Sequence, residues 1–317
     1  MEEKTKLTAS AVSEEPIDDS LFTKLDDSEK NSEFIALDIK TFFQDAWGRY
    51  KKNKLALIGL IFLTIMVLGS IFVPILSPYD FESQDLANKN QLPSAQHWMG
   101  TDKLGRDIFV RIMYGGRISF SIAFSTAFIC LVIGILYGGI AGYVGGRVDM
   151  VMMRIVDILD SVPTLLYVIL ILLIFGDSIG SMMLAICFTS WIGMARQVRT
   201  QIQSAKEMEY ALAAKVLGAS HMRILLKHLV VNSISPIIVN LTLMVPSAIF
   251  TESFLSFVGI GLNPSIPSWG KLANDCRSLF FTYPIQIIWL IATMSVTILS
   301  LNFIGDGIGE AFQAKKR

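Results

Sequence analysis

The sequence predicts an all-α membrane protein with six transmembrane helices, its N- and C-termini both on the inner side. Two observations carry that prediction. The 317-residue chain is 52% hydrophobic but only 17% charged, with a mean hydropathy of +0.54, whereas soluble domains carry about a quarter charged residues. The apolar residues are also gathered into six long runs, near the roughly 20 residues needed to cross hydrocarbon. These runs lack the alternation of barrel strands, and only helices or closed barrels satisfy every backbone polar group in lipid. They are therefore read as helices.

Residues 1–40 come first, with eleven acids and five lysines among scattered Pro, Ser and Thr. Such a stretch buries too little apolar surface to offset its ordering entropy, and it has no apolar core of a signal peptide. It is predicted to be a disordered acidic cytoplasmic tail, either solvated filler or a regulatory or docking segment. A transmembrane domain occupies 41–317, with spans at about 55–76, 118–143, 157–176, 178–195, 231–252 and 283–305. The second span carries Gly134, Gly138, Gly142 and Gly146, a smooth stripe that admits another helix closely. That stripe serves either packing inside one bundle or a moving or subunit-forming seam. The third span begins with Asp157 and Asp160 near one membrane face, close to Pro163.

Basic residues set the direction. With the N-terminus inside, inner segments hold fifteen Lys and Arg and outer segments seven, so the inner-N, inner-C topology is favoured.

Between the fourth and fifth spans lies the longest cytoplasmic loop, 196–230, which includes EMEYALAAKVLGASHMRILLKH. Met208, Leu212 and Val216 recur every fourth residue, and Gly218 permits the left-handed backbone that ends a helix. Ser220 is expected to cap a second helix with Met222, Leu225, Leu226 and Leu229 on one stripe, Arg223 and Lys227 opposite. Ala213 and Ala214 leave a flat patch beside the bend. Two amphipathic helices of this kind either lie on lipid headgroups or dock another protein, and pattern alone leaves both open.

Other candidate sites are sparse. There is no phosphate-binding loop, HExxH or nucleophile elbow, and His97, His221 and His228 are not at ligand spacing. The chain is expected to bind no metal and to catalyse nothing by itself. Cys130, Cys187 and Cys276 suggest no disulfide framework. Asp102–Arg106 and Asp107–Arg111 are acid-before-base pairs at i, i+4, supporting a short surface helix or contacting a partner outside the membrane. Trp269 lies in a turn-rich outer cap with Pro264 and Pro267 and is expected at the membrane interface. Asp157 and Asp160, through pairing with Arg154 or as part of a pathway, are the clearest ionisable residues near membrane depth. Glu252 is a candidate for the pathway mouth.

The loop pattern Ala213-Ala214-x-x-x-Gly218 resembles the "EAA" loop of permease subunits of bacterial binding-protein-dependent ABC importers. HWMGTDKLGRDIFVRIMYGGRISF (97–120), GGRVDMVMMRIVDILDSVP (145–163), TESFLSFVGIGLNPSIPSWG (251–270) and NFIGDGIGEAF (302–312) are similar to the oligopeptide/dipeptide/nickel branch, covering about 40–317. The likeness is to the second, C-type, of the two permease subunits. Leu212 stands where a family glutamate often sits, and Val230-Val231 where Leu-Pro commonly ends the motif.

The resemblance implies an ATP-driven importer of oligopeptides or dipeptides in the bacterial cell membrane, this chain forming half of the pathway. It implies a homologous permease, two ABC ATPase subunits that use ATP and Mg, and an extracytoplasmic peptide-binding protein as partners. This chain is expected to bind no cofactor and no nucleic acid. Glu209, Tyr210, Leu212, Ala213, Ala214, Leu217, Gly218 and Ala219 would form the ATPase-coupling loop. Asp157, Asp160 and Glu252 would belong to a pathway or gate, and Asp102, Arg106 and Trp269 to a binding-protein contact. A nickel or other small-solute importer is the alternative within the class. A stand-alone secondary transporter would need midplane charges and broken helices, and the spans are nearly free of charge at their middle. A membrane scaffold would leave the two-helix loop without a partner.

Overall fold

The computed structural model describes residues 41–263 and 265–312. The acidic tail at 1–40, Pro264 and the terminal Lys315, Lys316 and Arg317 lie outside the described residues.

Within them the fold is helical, with one isolated bridge, between Thr101 and Asp107. Helix α1 (Phe42–Tyr50) leads into α2 (Lys54–Leu76), and an outer loop with a 3₁₀ turn at Leu86–Asn88 leads into α3 (Ile108–Val144). Then come α4 (Gly146–Asp160), α5 (Thr164–Phe175), α6 (Ile179–Lys206) and α7 (Glu209–Val216). A helical turn α8 (His221–Arg223) continues as a π-helix (Ile224–Val230), before α9 (Ile234–Val258), α10 (Trp269–Arg277) and α11 (Pro284–Phe312).

Helices α2, α3, α6, α9 and α11 are each long and apolar enough to cross a membrane. The sixth crossing departs from the continuous span expected at 157–176. It is a pair, α4 and α5, bent by 81°. Pro163 lacks an N–H and disfavours helical backbone at Val162, so the helix stops at Asp160 and restarts at Thr164. The 12 residues of α5 reach about 18 Å at 1.5 Å each, short of the ~30 Å hydrocarbon core. Only together with α4 is α5 long and apolar enough to count as a sixth crossing.

The glycine stripe packs inside the chain. A Cβ on Gly134 would meet Met194, one on Gly138 the carbonyl of Ala195, and one on Gly142 the carbonyl of Arg199 at 2.7 Å. Helices α3 and α6 therefore touch backbone to backbone. Cys130 and Cys187 meet in the same seam as free thiols, Sγ to Sγ 3.4 Å. Gly146 is not part of the stripe: with Gly145 it adopts positive φ (56° and 72°), ending α3 and turning the chain into α4.

Both ends of the described chain meet. Ala46 and Tyr50 of α1 pack with Ala56 and Ala311, the Tyr50 hydroxyl donates to the Ala56 carbonyl, and Asn53 donates to Glu310 at 2.8 Å. N- and C-terminal helices on one face require an even number of crossings, which five long helices plus one bent pair supply.

Candidate functional site: the inner loop and the outer cap

The inner loop starts on the long helix α6, whose last turns are tied to their neighbours by polar contacts. Arg199 forms a two-pronged pair with Asp149 of α4, joined by Gln203 at 3.1 Å. Lys206 donates to the Tyr143 carbonyl at the end of α3 at 2.6 Å, and Tyr143 shares a 2.8 Å hydrogen bond with His221. Gly218 sits at φ +78° with nothing near a would-be Cβ, so backbone conformation alone selects glycine there.

Three loop expectations change in the structure. Ser220 occupies the N-cap position, yet its side chain caps nothing; only its carbonyl accepts, from Ile224 N–H at 2.9 Å. The stripe Met222, Leu225, Leu226, Leu229 is split. Ile224, Leu225, Leu229 and Val230 are buried while Met222 and Leu226 face out. The buried pairs Ile224/Leu225 and Leu229/Val230 are five residues apart, matching the i→i+5 period of the π-helix. The two alanines also part company. Ala213 is exposed, whereas Ala214 is 6% exposed and packs with Ala211 against Ile224 and Leu225.

The outward face of the loop is thus made of large apolar groups. Val216 and Leu217 are 88% and 86% exposed, beside exposed Met208, Leu212 and Met222. Glu209, Tyr210 and Gly218 are exposed as well, and Ala219 is half-buried.

Asp157 and Asp160 stand at the bend of the split span. Both are half-exposed and clasped by one residue, Arg196 of α6, at 3.1 and 2.7 Å. The ion partner is Arg196 and not Arg154, because α4 lies along α6 and Arg154 is turned to the exposed side.

The outer cap differs most from expectation. Residues 101–107 form no helix: Gly105 sits at φ +78° and α3 begins only at Ile108. Asp107 is the N-cap of α3, accepting from Val110 N–H at 2.9 Å and pairing with His97 at 2.8 Å. Arg111 reaches past it to Asp102 at 2.8 Å and Asp275 at 3.4 Å, and Arg106 also pairs with Asp102 at 2.7 Å. These side chains are largely buried, so Asp102 and Arg106 hold the cap together rather than present charge outward. Trp269 is not interfacial. It is fully buried, its Nε1 donating to the Ile112 carbonyl at 2.9 Å and its ring edge-on to Phe120 at 5.2 Å.

Glu252 is likewise fully buried and opens onto no mouth. Its carboxylate accepts from Ser119 (2.8 Å), Ser256 (2.9 Å) and Ser253 (3.3 Å). Ser119, Asp275, Arg196 and Arg199 are residues the sequence reading missed because each acts through a partner far along the chain, and His97 was missed although its partner Asp107 is ten residues on. Among the described residues no three His, Cys, Asp or Glu side chains converge as a metal site.

This arrangement of spans and loop has known counterparts. Residues 131–317 match the family described as binding-protein-dependent transport system inner membrane component. Residues 41–93 match the N-terminal TM domain of oligopeptide transport permease C. The dipeptide transport system permease protein DppC of Bacillus subtilis is 41% identical, covering 95% of this chain and 94% of its own length. The oligopeptide transport system permease protein OppC of the same organism is 42% identical, over 90% and 94%, and that of Escherichia coli K12 is 39% identical, over 91% and 96%. Among solved structures, a chain of the inward-facing MetNI methionine ABC transporter superposes with a TM-score of 0.53 at 18% identity, covering 64% of this chain and 97% of that one. At that identity the likeness concerns the fold alone.

Proposed function

The chain belongs to the family of binding-protein-dependent transport system inner membrane components, as a C-type permease subunit of the ABC importer class, and from that membership we propose that it carries peptides across the bacterial cytoplasmic membrane. It forms half of a pathway with a homologous permease and receives peptide from an extracytoplasmic binding protein. Two ATPase subunits on the inner side bind and hydrolyse ATP with Mg; this chain contributes no catalytic group.

The observation that supports coupling through the inner loop is the outward apolar face of Met208, Leu212, Val216 and Leu217. Large apolar groups gathered at such exposure mark an interaction surface. The loop is rigidly continued by α6, whose end is clamped to α3 and α4 through Lys206, Arg199 and Asp149. A push on α7 is therefore delivered to three helices together, as a rigid-body tilt.

The test is cysteine cross-linking in a background without Cys130, Cys187 and Cys276. Leu217→Cys is expected to cross-link to the ATPase subunits in a nucleotide-dependent way. Ala214→Cys, facing inward, is expected not to. Protection of the position-217 label by lipid, with no cross-link to any ATPase, would make the loop an interfacial helix and end the coupling reading. Uptake of labelled di- and oligopeptides, against nickel as competitor, tests the cargo.

A further inference from the structure

At the inner face, α1 and the end of α11 do not close completely on each other. A cleft of 530 Å³ lies between them, lined by Trp47, Tyr50, Leu60, Ile304, Ile308 and Phe312. Leu60 lies six residues into α2 from Lys54, about 9 Å along the helix at 1.5 Å per residue. The cleft therefore runs from the membrane surface into acyl-chain depth.

Its mouth is basic. The turn from α1 to α2 carries Lys51, Lys52 and Lys54, all exposed, and Lys51 Nζ lies 5.2 Å from the centroid of the Trp47 ring that forms one wall. Of the acids nearby, Asp45 pairs with Arg49, Glu310 accepts from the neutral amide of Asn53, and Asp306 is exposed on α11. Among the described residues no carboxylate is paired with any of the three lysines. A slot with apolar walls and three exposed lysines at its membrane-surface end, one of them against the Trp47 wall, complements one kind of molecule, an amphiphile with an anionic head.

We propose that this cleft is a binding site for an anionic phospholipid of the inner leaflet, one acyl chain lying against Leu60 and Ile308 and the phosphate held by Lys51, Lys52 and Lys54. The site rests on the inner placement of both termini and not on the transport reading. It makes α1 a lipid-gripping strap over the last turn of α11, fixing the first and last spans to each other.

The test uses the full-length chain, purified with the subunits that accompany it, in nanodiscs of zwitterionic lipid containing one part in ten of brominated lipid. Trp47 quenching is taken as the difference between the wild type and Trp47→Phe. Brominated phosphatidylglycerol is expected to quench Trp47 several-fold more than brominated phosphatidylcholine. A lysine at an anionic surface is worth about fivefold in affinity. The triple variant Lys51→Gln/Lys52→Gln/Lys54→Gln should therefore lower the apparent phosphatidylglycerol affinity by about tenfold or more. Ile308→Trp, which fills the cleft and leaves the lysines, should abolish the preference as well. Equal quenching by the two headgroups would overturn the proposal. So would a preference that survives Ile308→Trp, since a charged surface without a slot would then explain it.

Discussion

Ser119 donates its hydroxyl to Glu252 at 2.8 Å, joining α3 to the outer part of α9. The same oxygen accepts the backbone N–H of Trp269 at 3.3 Å. Three elements distant in sequence, at positions 119, 252 and 269, therefore converge on two side chains. Among the described residues no cation pairs with the carboxylate; serine hydroxyls supply its polar partners, and each of those hydroxyls in turn depends on it.

Removing the carboxylate is expected to cost more than removing one donor. Glu252→Ala leaves three buried hydroxyls without their acceptor, and an unsatisfied buried group costs about 1–3 kcal/mol. A loss of about 3 kcal/mol is expected, against about 1 kcal/mol for Ser119→Ala, with Glu252→Gln between them. Thermal unfolding of the purified subunit reads the order directly. An unchanged midpoint in Glu252→Ala would show that the network contributes nothing.

The charge cluster of the outer cap gives a sharper contrast. Asp102 serves both Arg106 and Arg111, and the Arg111 side chain is only 6% exposed. Breaking a buried pair from one side strands a buried charge and costs about 3–5 kcal/mol. Asp102→Asn is accordingly expected to unfold the cap and expose Trp269, seen as a red shift of tryptophan emission. Asp157→Asn, whose pair with Arg196 is half-exposed, is expected to cost at most about 1 kcal/mol. Equal effects would mean that burial does not govern these pairs.

Glycines separate into required and replaceable ones. At Gly138 a methyl group would be driven into the Ala195 carbonyl, so Gly138→Ala forces α3 and α6 apart and is expected to cost about 1–3 kcal/mol. At Gly193 nothing lies within 4 Å. Gly193→Ala sits inside α6 and is expected to gain about 0.5–1 kcal/mol from helix propensity. Denaturation of the two variants side by side checks the sign of each.

The contrast between Gly138 and Gly146 also marks what the sequence makes legible. Four glycines at one spacing announce a close helix contact, and three of them make it. Gly146 keeps the spacing but is spent on a turn, which depends on backbone conformation that spacing does not encode. The spans were readable because lipid demands long uncharged runs, whatever their neighbours. The bend at Pro163 was readable in principle, yet an apolar run does not state whether a proline kinks or breaks it. In the loop, Gly218 behaves as its type requires. Met222 and Leu226 were misplaced because a π-helix changes the period on which an amphipathic stripe is counted. The outer cap was least legible: Arg111 has Asp107 at helical distance but bonds to Asp102 and Asp275, and a separation of 164 positions between Arg111 and Asp275 gives no hint of the pairing.

Cys276 of α10, outside the membrane-crossing helices, offers a test of that cap in the folded protein. Burial pushes its thiol up to about 12, and the nearby carboxylates of Asp275 and Asp102 push in the same direction. The thiolate is the reactive form, and an ordinary cysteine has a pKa near 8.5. At pH 8 the thiolate fraction of Cys276 is then of order 10⁻⁴, against about a quarter for an ordinary cysteine. Alkylation by iodoacetamide is expected to be about 10³-fold slower than for a free thiol and to rise about tenfold per pH unit between 7 and 10. Cys130 and Cys187, sealed in the α3–α6 seam, should not label before unfolding. Asp275→Asn removes a negative charge that holds the proton on, so it should speed labelling of Cys276 and shift the pH profile to lower values. A rate that does not depend on pH, or that Asp275→Asn leaves unchanged, would mean that access governs the thiol and that the charges of the cap do not reach it.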